Sequence, residues 1–437
     1  MSAILWQSED GDITLIDIPR SLSLAQGAGG GPRLTLLSTE PLTTPYQTNE
    51  PKSAAARAKL VHNTVDADLH AEYAEVIHNA LAKIKAAHHD AWCLPRPFIE
   101  IQPADGRKRK ASSSPASEND QGYGASGDEQ ELRRKRNPQD NLPDGLLASL
   151  SATTITRIHG ICDEDLHDPG YDPEQAADED EPTMIFLADP SNPSDFYNFF
   201  VPQESSFILG PCSDSRTLHT NNRIQAEEFE VPKTFDFILL DPPWPNRSVK
   251  RTHKTANSTY TTAPTLNDIH QLLMGMDLDI FMADSSLVAI WITNKPAIRE
   301  LVLGQDGLFD SWGVELEEEW LWLKTTESGE PLTPIDSVWR KPYEVLLLGR
   351  KRKRYLEAAA QASVEQEAVR RRVLVSVPDL HSRKPCLKEL VEKMVPDESS
   401  YRALEIFARN LVAGWWSWGD ECVKFNWEGF WKESMDQ

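Results

Sequence analysis

Phe235 to Leu240 is an apolar run that passes directly into Asp241-Pro242-Pro243-Trp244, giving FDFILLDPPW. An acid, two φ-restricted prolines and an aromatic at a strand end form a rigid turn that presents a carboxylate, backbone carbonyls and a flat ring together. Prolines lack an N–H, so this backbone is biased toward accepting hydrogen bonds. Such a surface suits an amino group carried on a planar ring: Asp241 and the Pro242 carbonyl accept its two hydrogens while Trp244 stacks on the ring. An exocyclic amine is a poor nucleophile because its lone pair is delocalised into the ring. Holding both N–H bonds turns that lone pair toward an electrophile and stabilises the cationic amine as it forms. A proline-rich turn capped by a core tryptophan is the plainer reading, and the strand that leads into the turn argues against it.

The elements around this turn set the fold class. From about Met184 the chain alternates short β-rich apolar runs with helical ones. The runs are Phe207 to Leu209, Phe235 to Leu240, Leu287 to Thr293, Glu319 to Lys324, Val345 to Leu348, Val373 to Val377 and Leu404 to Phe407. Helical candidates lie at Thr265 to Gly275, Lys295 to Leu303 and Cys386 to Met394. Near-continuous apolar strands suit a sheet covered on both faces, so the pattern predicts a doubly wound α/β domain with ligands beyond the carboxyl ends of its strands.

Length allows two or three domains: 437 residues, 40% of them hydrophobic, can bury a sizeable core. The boundaries read as 1–102, an N-terminal β-hairpin and helical region; 103–183, a mostly disordered charged linker; and 184–437, the α/β domain. The hairpin is Ile4 to Trp6 and Ile13 to Ile18 about a glycine-bearing turn, and Leu60 to Ala87 has helical periodicity without Gly or Pro. Pro103 to Pro143 and Asp163 to Pro182 are too polar to offset the entropy of ordering, with a short helix expected over Leu146 to Ile161 between them. Five scattered cysteines without a CxxC suggest neither disulfides nor a metal, and the compartment reads as reducing. No apolar run reaches the roughly 18 to 20 residues of a bilayer span, and the first twenty residues lack a signal-peptide pattern. The net charge of −23 argues against nucleic acid only on average, because ten acids fall between Asp163 and Glu181 while basic clusters occur at 107–110, 133–136, 247–254, 350–354 and 370–372.

Several blocks in one order identify a resemblance. Ser213-Asp214, Asp241 to Trp244 followed by Asn246 to Arg251, Lys341-Pro342-Tyr343-Glu344, His381 to Pro385, Glu405 to Leu411, and Gly414-Trp415 with Ser417-Trp418-Gly419 resemble the eukaryotic DPPW family of adenine N6-methyltransferases. The branch called methyltransferase-like protein four is the most similar, over roughly Phe207 to Phe425. The resemblance implies S-adenosylmethionine as methyl donor and a Rossmann-like, circularly permuted domain, since the catalytic turn precedes the cofactor strand. It implies cofactor contacts from Lys384 to the methionine carboxylate and Asp241 near the amino group. The same resemblance implies that Arg409, Asn410, Asp420 and Glu421 face the ribose, that Asp214 accepts from the adenine amine, and that Glu405 with Phe407 belongs to the cofactor strand and loop. Glu405 either orients these groups or pairs with Arg409. The chain departs from the family at Asp420, where Asn is usual, and at Ala413-Gly414, where Pro-Gly is common. Asp420 accepts but cannot donate as Asn does.

Asn246, Arg247, Lys250 and Arg251 follow the turn and suit substrate phosphates, against a solvated basic loop. Lys341 and Glu344 resemble a substrate-side loop, against an ordinary surface ion pair. Pro385-Cys386 is similar to the nucleophile of cytosine-carbon methyltransferases, but an amine target needs no covalent step. The basic runs at 107–110 and 133–136 read as nuclear-localisation signals, against solvated charge, so the expected compartment is nuclear with a cytoplasmic pool as the other option. The tryptophans at 320, 322, 415, 416 and 418 read as core, with Trp244 the exception. The expected function is adenine N6 methylation in nucleic acid. RNA is favoured, in particular a ribose-methylated adenosine of a small nuclear RNA, and DNA is the alternative; a non-catalytic nucleic-acid-binding subunit is the alternative of another class.

Overall fold

The computed structural model describes residues 2–27, 34–47, 53, 66–99, 142, 146–151, 154–158, 161–162, 183–190, 192–245, 265–337, 340–352 and 368–433. Asn246, Arg247, Lys250 and Arg251, both expected linker runs and the basic clusters at 107–110 and 133–136 fall outside these, apart from Leu142.

Among the described residues, twelve strands form one sheet. In chain order they are β1 (Ile4–Gln7), β2 (Ile13–Ile16), β4 (Ile155–Ile158), β5 (Ile161–Cys162), β8 (Ser206–Leu209), β9 (Phe235–Leu240), β10 (Met282–Ile292), β11 (Val314–Lys324), β12 (Tyr343–Lys351), β13 (Arg370–Ser376), β14 (Ala403–Ile406) and β15 (Trp415–Gly419). The spatial order is β1-β2-β13-β11-β12-β10-β9-β14-β15-β8-β4-β5. Six of the eleven pairings are parallel, and β12 is the reversed strand in the middle. Two antiparallel pairs lie outside the sheet: β6 (Met184–Asp189) with β7 (Asn192–Phe200), and β3 (Leu34–Leu36) with β16 (Trp431–Glu433).

Alternation along the strands assigns side chains to two cores, as period-two geometry requires. Ile238, Leu240, Val288, Ile290, Leu321 and Leu323 enter one core with α2 (Ala67–Ala87), α5 (Leu266–Met274), α6 (Pro296–Leu303) and α7 (Leu308–Trp312). Phe237, Leu239, Ala289, Trp291, Trp320, Trp322 and Leu374 enter the other with α1 (Ile18–Leu24), α8 (Lys388–Val391) and Phe425 and Phe430. Both faces are covered, which explains why strand runs such as FDFILL show no polar alternation.

Local signals set several boundaries. Thr265 caps α5 through a capping box with Asp268, and Pro296 opens α6. Gly11 takes φ 72° in the β1–β2 turn, which a side chain would strain. Other expectations need correction. Leu146 to Ile161 is not one helix: α3 (Leu146–Ser151) stops, and Ile155–Ile158 pairs antiparallel with β8, where the β-branched Thr154-Ile155-Thr156 is at home. Cys386 to Met394 begins its helix only at Lys388. The segment boundaries read from composition do not coincide with those of the sheet. β2 pairs parallel with β13 and β4 pairs with β8, so residues on either side of 102 and 183 share one hydrogen-bonded layer. Composition reports chain polarity, whereas sheet membership depends on which edge has free N–H and C=O groups. The helix α4 (Ser215–Glu228), the β6–β7 pair and the strand β15 have no counterpart in the expectations above.

Candidate active site

One edge of the sheet collects the chemistry. β9 ends at Leu240 and delivers Asp241; β14 ends at Ile406 and delivers Phe407, Arg409 and Asn410; β15 ends at Gly419 and delivers Asp420 and Glu421. These three strands run parallel, so their carboxyl ends coincide. β12 runs the other way, and its second residue, Glu344, therefore lies at the same edge. The loop after β13 completes the wall with Ser382, Lys384 and Pro385. The resulting cleft, of about 470 Å³ counting space open to solvent, is lined by Asp241, Lys384, Glu405, Phe407, Arg409 and Asn410 together with Trp291 and Trp415.

Lys384 is the hub of the charges. Its Nζ donates to both oxygens of Asp241, at 3.0 and 3.2 Å, and lies 3.2 Å from Glu344 Oε2. It also sits 5.3 Å from the centre of the Trp291 ring and 6.0 Å from that of Trp322. Burial alone lowers an ammonium pKa, but the Asp241 and Glu344 carboxylates outweigh it, and Lys384 is pushed up to about 12. Burial acts to raise Glu344, yet Lys324 and Lys384 hold it well below the usual carboxylate range. Arg409 bridges the other way, with Nη1 3.5 Å from Asp241 and Nε 3.3 Å from Glu421, which also meets Lys424 at 2.7 Å. Glu405 behaves differently. Burial, reinforced by the negative charge of Asp241, overcomes Arg409 and Lys384 and pushes its carboxyl up to about 8. The same cleft thus holds an ion-paired carboxylate and a carboxyl poised to titrate near neutrality.

The backbone of the cleft is strained and closely buttressed. Phe407 and Ser382 both line it and adopt positive φ, 61° and 73°, which costs a non-glycine residue about 1 kcal/mol or more. At Gly419 an added Cβ would lie 3.2 Å from Phe407 Cα and 3.3 Å from Ala408 N, so only glycine lets β15 pass this turn without a shift. Arg383, the neighbour of Lys384, is fully buried, donates to Asp379 at 2.8 Å and to the Leu37 carbonyl at 2.7 Å, and lies between Phe425 and Phe430. Asp379 in turn accepts from Thr39 N at 2.8 Å. Ser21 Oγ accepts from Cys386 N at 3.0 Å, and Gln26 donates to the Leu411 carbonyl at 3.2 Å. Ser21, Gln26, Leu37 and Thr39 therefore brace the cleft wall from behind.

Several expected roles change. Trp244 is 7% exposed and belongs to the core, where its indole N–H donates to the Trp291 carbonyl at 2.7 Å. It fixes the turn and presents no open stacking face, so it is not the exception among the tryptophans. The Pro242 carbonyl already accepts from Trp244 N at 2.8 Å, which leaves one lone pair for a ligand. Pro243 lies in the same turn without a helical or strand hydrogen-bond pattern. Asp214 caps α4, accepting from Thr217 N at 3.4 Å and Thr217 Oγ1 at 2.6 Å, and does not line the cleft. Asp420 follows β15 with its carboxyl pKa raised by burial and by the charge of Glu421. Lys341 and Glu344 are not a pair: Lys341 Nζ lies 2.6 Å from His70 Nε2, while Glu344 meets Lys324 and Lys384. Cys386 lines the cleft, but burial pushes its thiol up to about 12, which leaves it a poor nucleophile. Ser382 and Trp415 belong to the motif blocks but carried no expected role in the cleft. Trp291, Trp322 and Lys324 contribute unforeseen, and their sequence signal is position at or near strand ends.

Residues 235–421 match the MT-A70 family. The chain is 34% identical over 442 residues to the N6-methyladenosine RNA methyltransferase MTA1 of Cryphonectria parasitica, covering 99% of this chain and 95% of that one. It is 36% identical over 229 residues to the mouse N(6)-adenine-specific methyltransferase METTL4, covering 52% of this chain and 44% of that one. It is 30% identical over 230 residues to a DNA N6-methyl methyltransferase of Caenorhabditis elegans, covering 52% and 54% of the two chains. A strand-end Asp-Pro-Pro-Trp turn, a lysine joined to its carboxylate and near end-to-end similarity to an MTA1 protein lead to one assignment: the chain belongs to the MT-A70 methyltransferase family.

Proposed function

We propose that this protein transfers a methyl group from S-adenosylmethionine to the N6 amine of adenine in RNA. The observation that carries the reading is the Asp241–Lys384 contact at 3.0 Å, which puts the amine-binding turn and a cofactor-binding cation in one cleft. The donor set fits the cofactor. Lys384 suits its methionine carboxylate, Glu405 and Asp241 suit its ammonium, and Arg409, Asn410 and Glu421 lie on the side where ribose hydroxyls need partners. When bound, S-adenosylmethionine supplies an electrophilic methyl group on a sulfonium. Asp241 and the remaining Pro242 lone pair accept from the adenine amine and direct its lone pair into the cleft. Trp244 keeps that turn in place through its bond to Trp291 rather than by stacking on the base.

RNA is favoured over DNA because the relative matched along nearly its whole length is named for RNA methylation. The specific candidate, which rests on the resemblance to the methyltransferase-like protein four branch, is a ribose-methylated adenosine of a small nuclear RNA. DNA adenine is the second reading, supported by the nematode relative. The segment β8-β15-β14-β9-β10-β12-β11, in which β9 precedes β14 in the chain, supports reading the domain as Rossmann-like and circularly permuted, with β14 as the cofactor strand. The basic runs at 107–110 and 133–136 would send the protein to the nucleus. Incubation with isotopically labelled cofactor and matched RNA and DNA oligonucleotides, followed by nucleoside mass spectrometry, tests the function. Labelled N6-methyladenosine from RNA supports it, the deoxynucleoside alone moves the substrate to DNA, and neither product from a cofactor-binding protein overturns it.

A further inference from the structure

The helix α2 lies far from the catalytic blocks in sequence, yet one of its residues reaches the loop that enters the site. It packs on β11 and β13, with Glu72 bonded to Arg371 at 2.6 Å and Tyr73 accepting from Arg299 at 3.1 Å. One turn into the helix, the His70 ring lies over Tyr343, 6.0 Å between centroids and 13° between planes. His70 Nδ1 is 2.8 Å from the Tyr343 hydroxyl and Nε2 is 2.6 Å from Lys341 Nζ. Lys341 precedes by three residues the Glu344 carboxylate, which meets Lys384 and through it Asp241. The Tyr343 carbonyl accepts from Asn294 at 2.8 Å, and the adjacent Lys295 donates to the Pro245 carbonyl at 2.6 Å, beside the Asp-Pro-Pro-Trp turn. The imidazole thus holds a cation on the loop that feeds the cleft.

We propose that His70 is a positioning residue which, as a neutral imidazole, fixes the Lys341 ammonium beside the cleft to meet a phosphate of the nucleic-acid substrate. The inference rests on the nucleic-acid reading above. An ammonium has only donors, so Nε2 must be the unprotonated acceptor and Nδ1–H the donor to Tyr343. Burial and the Lys341 charge lower the His70 pKa, while the Asp336 carboxylate and the Ile335 backbone act the other way; Tyr343, itself raised by burial, stays neutral. Protonation of His70 removes the acceptor and sets two cations against each other, so Lys341 leaves its place as pH falls. A merely structural histidine does not link oligonucleotide affinity to pH in this way.

The test is fluorescence anisotropy of dye-labelled, adenosine-containing single-stranded RNA and DNA oligonucleotides, titrated at several pH values and salt concentrations. Because the His70 pKa lies below its ordinary 6.5, wild-type affinity should hold from about pH 8 to about pH 7 and fall about five- to tenfold as pH drops further, to about pH 5, the loss of roughly one phosphate contact. His70→Gln keeps an acceptor that does not titrate, and should hold the high-pH affinity throughout. His70→Phe should be weak at every pH, with a salt slope shallower by about one unit, and should add nothing to Lys341→Ala. S-adenosylhomocysteine affinity and melting temperature, unchanged in all variants, show that they fold. The same pH dependence in wild type and His70→Gln, additive effects of His70→Phe and Lys341→Ala, or full affinity in Lys341→Ala overturns the proposal. Absence of methyl transfer alongside the expected binding behaviour would remove the enzymatic reading and leave this one standing.

Discussion

Replacing Glu405 with Gln should uncouple cofactor binding from pH. The carboxyl sits at the end of β14, its pKa pushed up to about 8 by burial and by the neighbouring Asp241 charge. With that value it is ionised in about one molecule in eleven at pH 7 and in about ten in eleven at pH 9. If the ionised form is the partner of the ligand ammonium, affinity for S-adenosylhomocysteine should rise about tenfold from pH 7 to pH 9, or about 1.4 kcal/mol. Binding should also expel a proton near neutral pH, because a bound cation lowers the pKa of the carboxyl beside it. Isothermal calorimetry in buffers of different ionisation enthalpy measures both effects. Glu405→Gln should bind with little pH dependence and release no proton. The folding equilibrium carries the same signature with a definite sign. A carboxyl whose pKa is raised on folding contributes stability that is fully present below the unfolded value of 4.5 and is lost as pH rises through about 8, so the wild type should lose stability relative to the variant across that window. Equal pH dependence of affinity in wild type and Glu405→Gln would refute the reasoning, as would proton uptake on binding.

Other perturbations have equally definite outcomes. Asp241→Ala should lower kcat at least about a hundredfold in a labelled-cofactor assay. It should keep S-adenosylhomocysteine affinity within about tenfold, since Lys384 retains Glu344 and Arg409 retains Glu421; wild-type turnover would exclude the site. Lys384→Ala should weaken S-adenosylhomocysteine binding by about 1.5 to 3 kcal/mol, one charge-assisted hydrogen bond, and calorimetry showing unchanged affinity would exclude the carboxylate contact. Asp379→Asn leaves the fully buried Arg383 without its counter-ion and should cost about 3 to 5 kcal/mol in urea unfolding, with a smaller loss pointing to water entry at that pair.

Much of this protein is legible in local chemistry. The strand Phe235–Leu240 has the same limits in sequence and structure because a run buried on both faces is apolar throughout and the prolines after it end the pairing. The ends of α5 and α6 follow from Thr265, Gly275 and Pro296 for the same local reasons. Lys384, Arg409, Glu405 and Asp241 were recognisable as candidates because each directly follows a strand or belongs to a motif block. β15 was not legible as a strand: Trp415-Trp416-Ser417-Trp418 reads as core packing, and only parallel neighbours on both sides make it a strand.

The α/β class, the acceptor-rich turn and the residue types that meet at the cleft follow from local backbone preference and periodicity, which any stretch of chain carries on its own. Which charges face one another does not follow, because it depends on how the strands are ordered and directed across the sheet. Lys384 could have met any carboxylate; the parallel register of β9 with β14 and the reversed direction of β12 bring it Asp241 and Glu344 together. The same register decides that Trp244 turns into the core, that Asp214 caps a helix, and that the helix carrying His70 reaches a loop some 270 residues further along. Contacts between residues so distant in sequence leave no local pattern, because chain separation says nothing about direction once the strands pair across the sheet.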